Sequence, residues 1–275
     1  MTLLTDIYWD VNGQNLNNWA FNIETLEGRL RGGTMRGSDV VIPYAPGERF
    51  TPKVVGSRII TLAMWVRGTT EDGVVPANRQ AEFESNWRKL SSLLWNPRQQ
   101  LTITKRIWVD GSLRTVVAKG QFVGGLEPTM MGRFAGRFTV DIKLHYPWFL
   151  DQAYNTVNLV NGHQNVVIPG EVETNQVMVT FNGSRDTPEI TNWTTEDSLV
   201  YDAQLLSGTR VEIDVMNWQA WYYPTSGSFQ DHAAKVVATG AVPMWMALIH
   251  GTNDLQLSSI TGTGTTQLQY KAAWR

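Results

Sequence analysis

The four histidines are the first residues to consider for chemistry, because imidazole both binds metals and transfers protons. His145, His163, His232 and His250 stand at separations that form no local metal-binding motif. The chain has no cysteine, which excludes thiolate ligands and cysteine nucleophiles. We place His145 on the polar side of a strand and the other three in loops, so all four are expected to be solvated. The sequence predicts no metal site.

Paired carboxylates are the second kind of residue that could do chemistry. Glu171 with Glu173, and Glu212 with Asp214, have the spacing that puts both acids on one side of a strand. Glycosidases use two such groups, so a glycosidase is kept as an alternative, although any alternating exposed strand gives the same spacing. No nucleophile elbow or P-loop occurs, and residues 262–264 (GTG) lack the third glycine of a dinucleotide site. We expect no catalytic residue, no cofactor and no enzyme activity.

A group of aromatic residues could serve binding instead. It consists of Trp218, Trp221, Tyr222 and Tyr223. Exposed aromatic faces stack on sugar rings and also pack against protein partners, whereas the same residues can equally form part of a core or a loop. A carbohydrate-binding β-sandwich module is therefore a second alternative function, with this group as its possible contact surface.

One segment has the pattern of a helix. Asn78 is a candidate N-cap, and Asn96-Pro97 should end the helix. Apolar residues recur between them at spacings of four, three and four, at Phe83, Trp87, Leu90 and Leu94. This amphipathic stripe is expected to cover a sheet.

The rest of the chain has the pattern of strands. Apolar residues alternate with polar ones from Ile60 to Val66 and from Phe138 to Tyr146, which is the period of a half-buried strand. Asn12-Gly13 and Asp110-Gly111 are typical of tight hairpin turns, and residues 127–132 are expected to form a loop between two further strands. The N-terminal half is thus predicted to be a β-domain with one helix.

The second half shows only short alternating runs separated by turn residues. Examples are Val177 to Phe181, Val211 to Val215, Met244 to Leu248 and Leu268 to Tyr270. Many short strands with regular turns are typical of a β-sandwich. Pro147 ends the last strand of the first half, so we place a domain boundary near residue 150 and predict domains at 1–150 and 151–275.

Charge and composition agree with two folded, mainly β domains. Of 275 residues, 42% are hydrophobic and 12 are Trp, which excludes a disordered chain. Residues 1–150 hold 18 Lys and Arg against 13 Asp and Glu, whereas residues 151–275 hold 5 against 12, giving net charges of +5 and −7. The scattered arginines of the basic half favour protein interfaces over nucleic acid. No apolar run reaches the ~20 residues of a membrane span, so a cytoplasmic origin is expected.

Several segments of the first half carry a resemblance to a known family. They are residues 10–13 (DVNG), 36–47 (RGSDVVIPYAPG), 56–62 (GSRIITL) and 137–149 (RFTVDIKLHYPWF), in order along the chain with the single helix between the last two. This order resembles the distal tail proteins of siphophages. The resemblance covers about the first 150 residues; residues 162–170 and 177–183 match the opening of the family's C-terminal domain less specifically.

The resemblance implies a structural protein of the virion tail tip or baseplate, assembled in the bacterial host cytoplasm. In this family an N-terminal domain forms a hexameric ring around the tail channel, and a galectin-like β-sandwich follows it. The implied partners are further copies of the chain, the tail tube protein, and the tail-tip hub and receptor-binding proteins. No membrane is involved, and DNA would only pass through the channel. No sugar-contacting motif of galectins is matched residue by residue.

Overall fold

A computed structural model describes residues 8–27, 35–36, 40–41, 48–49, 54–95, 98–125, 127–240, 246–259, 261–262 and 264–275. Within these ranges, the side chains of residues 25–54 are not described. The chain divides into two compact units, Met1–Leu150 with Arg275, and Asp151–Trp274. Most of residues 36–47, and both Asn96 and Pro97, lie outside the described residues.

The first unit is a mainly β unit with one helix. Its elements are β1 (Trp9–Val11), β2 (Gln14–Asn15), β3 (Phe21–Glu27), β4 (Met35–Arg36), β5 (Val40–Val41), β6 (Glu48–Arg49), β7 (Val54–Val55), β8 (Arg58–Arg67), α1 (Arg79–Leu94), β9 (Leu101–Val109), β10 (Ser112–Gly125), β11 (Thr129–Gly132) and β12 (Ala135–Leu144). The main antiparallel sheet has the order β2-β1-β9-β10-β12-β8-β3, and β11 pairs with β12. A strand β13 (Phe149–Asp151) lies at the boundary of the two units.

The alternating pattern places one side of the central strands in the core. The buried apolar side chains of β12 are Phe138, Val140, Ile142 and Leu144. Their partners on β8 are also buried, through the register Phe138↔Met64, Val140↔Leu62, Ile142↔Ile60 and Leu144↔Arg58. Because successive side chains point to opposite faces, the polar residues between them lie on the other side. The strand predicted for residues 60–66 is confirmed. The strand predicted from Phe138 to Tyr146 is confirmed only as far as Leu144, where β12 ends.

Both predicted hairpin turns have the backbone that their residues favour. Asn12 and Gly13 have φ angles of 51° and 86°, and Asp110 and Gly111 have 47° and 76°. Two consecutive positive φ angles are the requirement of a type I′ turn. The segment expected to be a loop at residues 127–132 is different: Thr129–Gly132 forms β11, because its backbone pairs with the start of β12. That part of the prediction is wrong.

The helix α1 begins and ends close to the predicted positions. The Asn78 side chain accepts a hydrogen bond from Ala81 N at 3.1 Å, and the Trp95 backbone N–H donates to Ser91 O at 2.8 Å. The helix packs against β8. One buried face therefore covers the main sheet of the first unit.

Between β3 and β8 the chain leaves the main sheet. β4 pairs with β7, and β5 pairs with β6, both antiparallel, so the second ladder is nested within the first along the sequence. Neither ladder joins the main sheet among the described residues. An isolated two-stranded ribbon is only marginally stable in water.

The second unit consists of two larger antiparallel sheets and one small sheet. Its strands are β14 (Asn155–Leu159), β15 (Gly162–Ile168), β16 (Val177–Asn182), β17 (Arg185–Asp186), β18 (Glu189–Asn192), β19 (Asp197–Tyr201), β20 (Gln204–Leu205), β21 (Arg210–Asp214), β22 (Gln219–Tyr223), β23 (Gln230–Asp231), β24 (Val236–Thr239), β25 (Gly251–Ser258), β26 (Thr261–Gly262), β27 (Thr265–Tyr270) and β28 (Ala273–Trp274). A 3-10 helix spans Ala233–Lys235. The sheet orders are β14-β27-β16-β21-β22-β23, β15-β25-β18-β19-β24 and β20-β17-β26.

One core joins the two larger sheets of this unit. Val179, Phe181 and Ile213 come from the six-stranded sheet, and Ile190 and Leu255 come from the five-stranded sheet. Two sheets that share one core in this way form a β-sandwich. The mainly β fold class and the β-sandwich prediction are confirmed.

One run that was expected to be a strand is not one. Met246 and Leu248 are buried, but they lie outside the named strands, and Leu248 forms only an isolated bridge with Thr174. Met244 lies outside the described residues. The alternating residues here are buried, but their backbone does not pair with a neighbouring strand. A sequence pattern cannot distinguish such a segment from a strand.

Candidate interaction surfaces

The paired acids of the second unit have structural partners. Glu212 Oε1 accepts from Arg210 Nε at 3.0 Å, and the Asp214 carboxylate accepts from the backbone and the side-chain amide of Asn217. Glu171 and Glu173 are exposed. Among the described residues no group of three or more histidine, aspartate or glutamate side chains is placed to hold a metal ion.

The histidines do not all lie in solvated loops, which corrects the sequence interpretation. His163 is on strand β15, where its Nδ1 lies 3.1 Å from Asp254 Oδ1. His232 is only partly exposed because its ring stacks on Tyr222, with centroids 4.7 Å apart, and its Nδ1 lies 2.6 Å from the Tyr201 hydroxyl. His145 is exposed, as expected.

In the hydrogen bond between Tyr201 and His232, the hydroxyl is the donor and the imidazole is the acceptor. Burial raises the pKa of Tyr201 to about 12, so its hydroxyl stays protonated at neutral pH. Burial, followed by the nearby Lys235, lowers the pKa of His232, although Asp231 opposes that shift. The neutral imidazole therefore accepts the hydrogen bond from Tyr201.

The predicted aromatic group does not form a single surface. Trp218 lies in the turn between β21 and β22 with a φ of 57° and is 52% exposed. Tyr222 points inward, next to buried Ala220 in the alternation, and packs against the core. Trp221 and Tyr223 point outward, and Arg210 lies 4.2 Å above the Tyr223 ring. The strand alternation thus divides the group between the two faces of its sheet.

Trp193, next to the five-stranded sheet, was not among the binding residues predicted from the sequence. Trp193 directly follows β18 and is 55% exposed. Its ring is stacked beside His163, with centroids 6.2 Å apart and planes at 25°, and its Nε1 donates to Gln256 Oε1 at 2.8 Å. No sequence signal near Trp193 indicates these neighbours.

The buried face of α1 in the first unit consists of four residues, with Trp87 at its edge. The buried residues are Phe83, Asn86, Leu90 and Leu94. Trp87 lies at the edge of this face, partly exposed, with its ring 5.2 Å from Phe138 in an edge-to-face contact. Asn86 was not predicted; its Nδ2 donates to the carbonyls of Arg67 and Thr69, both at 2.9 Å.

Exposed apolar residues also occur on the first unit. Trp108 is 60% exposed near the tip of the β9–β10 hairpin, directly opposite Leu113, which is also exposed.

On β8, the Trp65 Nε1 donates to Glu24 Oε2 at 3.0 Å, and Arg137 Nε lies 2.8 Å from the same oxygen. Aromatic residues and arginine are enriched in protein interfaces.

A small polar cleft lies between the first hairpin and the C-terminal part of the helix. Its volume is about 320 Å³, and Asn12, Gln14, Lys89, Ser92, Leu93 and Gln99 line it. Nearby, Glu71 contacts Lys89 and Gln14, and these bonds lower the pKa of its carboxyl. The polar lining and absence of an enclosed apolar wall give no support for a small-molecule site. In the described part of the chain, no helix is long and apolar enough to span a membrane.

Comparison with known proteins identifies the fold. The crystal structure of the SPP1 Dit protein, described as a paradigm of the hub adsorption apparatus in phages that infect Gram-positive bacteria, is similar with a TM-score of 0.63 and 14% sequence identity, over 96% of this chain and 98% of that chain. The chain therefore has the fold of SPP1 Dit across nearly the whole length of both proteins.

Two further structures are more distant. They contain the phage P2 baseplate in its activated conformation, one with Ca and one with Sr. Their TM-scores are 0.41 and 0.42, each at 9% identity, over 94% and 98% of this chain and 92% and 99% of those chains. No protein-family model and no curated protein matches the sequence.

Proposed function

We propose that this chain is a distal tail protein of a siphophage, a structural, non-enzymatic component of the tail tip. Its copies form a hexameric ring that connects the tail tube protein to the tail-tip hub and receptor-binding proteins. The observation that carries this proposal is the likeness to SPP1 Dit, which extends over both units and over nearly the whole length of both chains. A stand-alone sugar-binding module would need only the second unit.

The two short ladders between β3 and β8 support assembly with further copies. The nested ladders of β4 with β7 and β5 with β6 join no larger sheet within the described residues. Because a two-stranded ribbon gains little stability by itself, a neighbouring subunit that packs on it would stabilise it. Assembly into a ring supplies such a neighbour to every copy, since a head-to-tail contact that closes leaves no unused interface.

The exposed hairpin tip supports the same assembly. Trp108 and Leu113 form a cross-strand apolar pair that is exposed to solvent. Tryptophan is enriched in the energetically important part of interfaces, and covering this pair would remove its apolar surface from water. We assign this tip to the contact between copies, within an interface that should bury more than ~2,000 Å² if the ring is permanent.

The assembly can be tested by native mass spectrometry and negative-stain imaging of the full-length chain. Rings of six copies are the expected result, in the free protein or in purified tails. Trp108→Ser should reduce the ring fraction with an unchanged melting temperature, and Trp218→Ser, which alters an exposed tryptophan of the second unit, should not. A chain that stays monomeric both in solution and within tails would contradict the proposed function.

A further inference from the structure

We propose that the outward face of the five-stranded sheet β15-β25-β18-β19-β24 is a carbohydrate-binding site centred on Trp193. A sugar ring would stack on the indole, and the polar side chains around it would hydrogen-bond to the sugar hydroxyls. This is a binding function in addition to the proposed ring, and it does not depend on the ring. It also differs from the aromatic group of Trp218, Trp221, Tyr222 and Tyr223, which belongs to the six-stranded sheet.

The indole of Trp193 is held in place although it is exposed. Its backbone N–H donates to Asp254 O at 2.9 Å, which extends the pairing of β18 with β25 by one residue. The Nε1–H donates to Gln256 Oε1 at 2.8 Å, and the His163 ring stacks beside the indole. An aromatic ring that is already fixed loses little conformational freedom when a ligand stacks on it, so binding is not opposed by that entropy.

Polar groups surround the indole at distances suited to a hydroxyl-rich ligand. The Asp254 carboxylate lies 3.1 and 3.2 Å from His163 Nδ1 through its two oxygens, and the two side chains are about half exposed. Because the carboxylate can only accept, Nδ1 donates to it, and Nε2 is left to contact a ligand. Carboxylate, imidazole and the Gln256 amide together provide both donors and acceptors, as sugar hydroxyls require.

The rest of the face favours a neutral ligand over a phosphate-bearing one. Its outward positions are His163, Asn165, Val167, Glu189, Thr191, Ser198, Val200, Val237, Thr239, Thr252, Asp254, Gln256 and Ser258. None of these residues is lysine or arginine, whereas nucleic acids are bound mainly through such cations. Hydroxyl and amide side chains dominate instead, and the whole segment 151–275 carries a net charge of −7.

Buried amides behind the site hold its backbone. Asn192 Oδ1 accepts from Thr194 N at 3.1 Å, so it fixes the turn that carries Trp193. The Asn192 amide also donates to Ala247 O and to Asn253 Oδ1, and Asn253 in turn bonds the backbone of Ile249. Both asparagines are fully buried. A rigid support of this kind is what a preorganised binding site needs.

The test is binding of neutral oligosaccharides to the full-length protein. Hexamers of glucose, galactose and N-acetylglucosamine are titrated by calorimetry, with intrinsic tryptophan fluorescence as a second readout and a single-stranded DNA oligonucleotide as the counter-probe. We expect one or more of the sugars to bind and the DNA not to bind. Trp193→Ala should weaken sugar binding by about tenfold or more because the stacking surface is lost.

Two further variants make the outcome specific. Asp254→Asn keeps the shape of the side chain and removes its charge, so weaker sugar binding with an unchanged melting temperature is expected. Trp218→Ala removes an exposed tryptophan of the other sheet and should leave binding unchanged. The proposal is overturned if no sugar binds, if DNA binds instead, or if Trp193→Ala binds sugars as the wild type does. The ring assay is separate, so either proposal can fail without the other.

Discussion

At the scale of single residues, Asn86 shows how much one polar side chain can contribute to this fold. It is buried on the helix face that covers the sheet, and its amide donates to the carbonyls of Arg67 and Thr69. Arg67 is the last residue of β8, and Thr69 lies two positions beyond it. The amide thus links the helix to the chain that leaves the strand.

We predict that Asn86→Leu lowers the free energy of unfolding by about 1–3 kcal/mol, because it leaves two partly buried carbonyls without their donor while keeping the branched shape of the side chain. Urea denaturation measures the change. Ser85→Ala, one position away on the exposed side of the helix, should change the stability by less than about 0.5 kcal/mol. Equal stability of the two variants would show that water replaces the amide.

A second residue-scale prediction concerns pH. The folded protein lowers the pKa of His232 below the ordinary 6.5, mainly by burial, so it binds fewer protons there than the unfolded chain does. This contribution to stability is present in full above pH ~6.5 and is lost as the pH falls towards the folded pKa. The free energy of unfolding should therefore decrease between pH ~7.5 and ~5.5.

His232→Phe tests this assignment because phenylalanine can still stack on Tyr222 but cannot titrate. The variant should be less stable at neutral pH, since Tyr201 loses its acceptor at 2.6 Å. It should also lose less additional stability on acidification than the wild type. Identical pH profiles for the two proteins would assign the acid sensitivity to other groups.

The site residues could be predicted only in part, and the reason is distance along the sequence. The contacts that define the Trp193 surface join residues far apart, as in its bond to Gln256, 63 positions away. Asn86 has the same difficulty, with acceptors 19 and 17 positions away. A polar residue in a helix pattern is assigned to solvent by default, and an isolated tryptophan carries no signal of its surroundings.

At the scale of elements, local signals were sufficient where one face of a strand or helix is buried. The alternation of β8 and β12, the Asn12-Gly13 turn and the Asn78 cap all depend on residues within a few positions of one another. β11 was missed because its pairing with β12 is set by the partner strand, and its own residues are exposed. Sequence periodicity cannot detect a strand without a buried face.

The helix gives a prediction at this scale. Leu90 is almost completely buried, so Leu90→Ala should lower the free energy of unfolding by about 2–5 kcal/mol and reduce ring formation with it. Trp87→Ala should cost less than Leu90→Ala because Trp87 is partly exposed, although it would lose its edge-to-face contact with Phe138. Thermal melting and native mass spectrometry of the same samples provide both measurements.

Arg88→Ala is the matched control on the same helix turn. The Arg88 side chain is highly exposed and only 3.8 Å from Glu84 in a surface ion pair, which contributes little to stability. Neither the melting temperature nor the ring fraction should change strongly. If Trp87→Ala abolished rings at unchanged stability, Trp87 would contact a neighbouring subunit instead of supporting the sheet.

At the scale of the whole molecule, the change in charge near residue 150 coincides with the division of the chain after Leu150. The second unit has its own core. Ala272 and Trp274 are buried, and Trp274 Nε1 donates to Asp151 Oδ1 at 2.8 Å. The first and last segments of this unit therefore meet, as expected for an independently folding domain.

The last prediction is that residues 151–275 fold alone as a monomer, and that residues 151–270 do not do so with the same stability. Removing the last five residues deletes the bond of Trp274 to Asp151, the bond of Glu171 N to Ala273 O at 2.9 Å and that of Lys271 N to Gln176 O at 3.0 Å. Loss of one buried tryptophan alone should cost about 3–5 kcal/mol. Denaturant unfolding followed by circular dichroism should show one cooperative transition for the longer fragment, at a clearly higher midpoint than for the shorter one. If the longer fragment is soluble only when joined to residues 1–150, the second unit is not autonomous; if it forms rings by itself, the ring contact does not belong to the first unit.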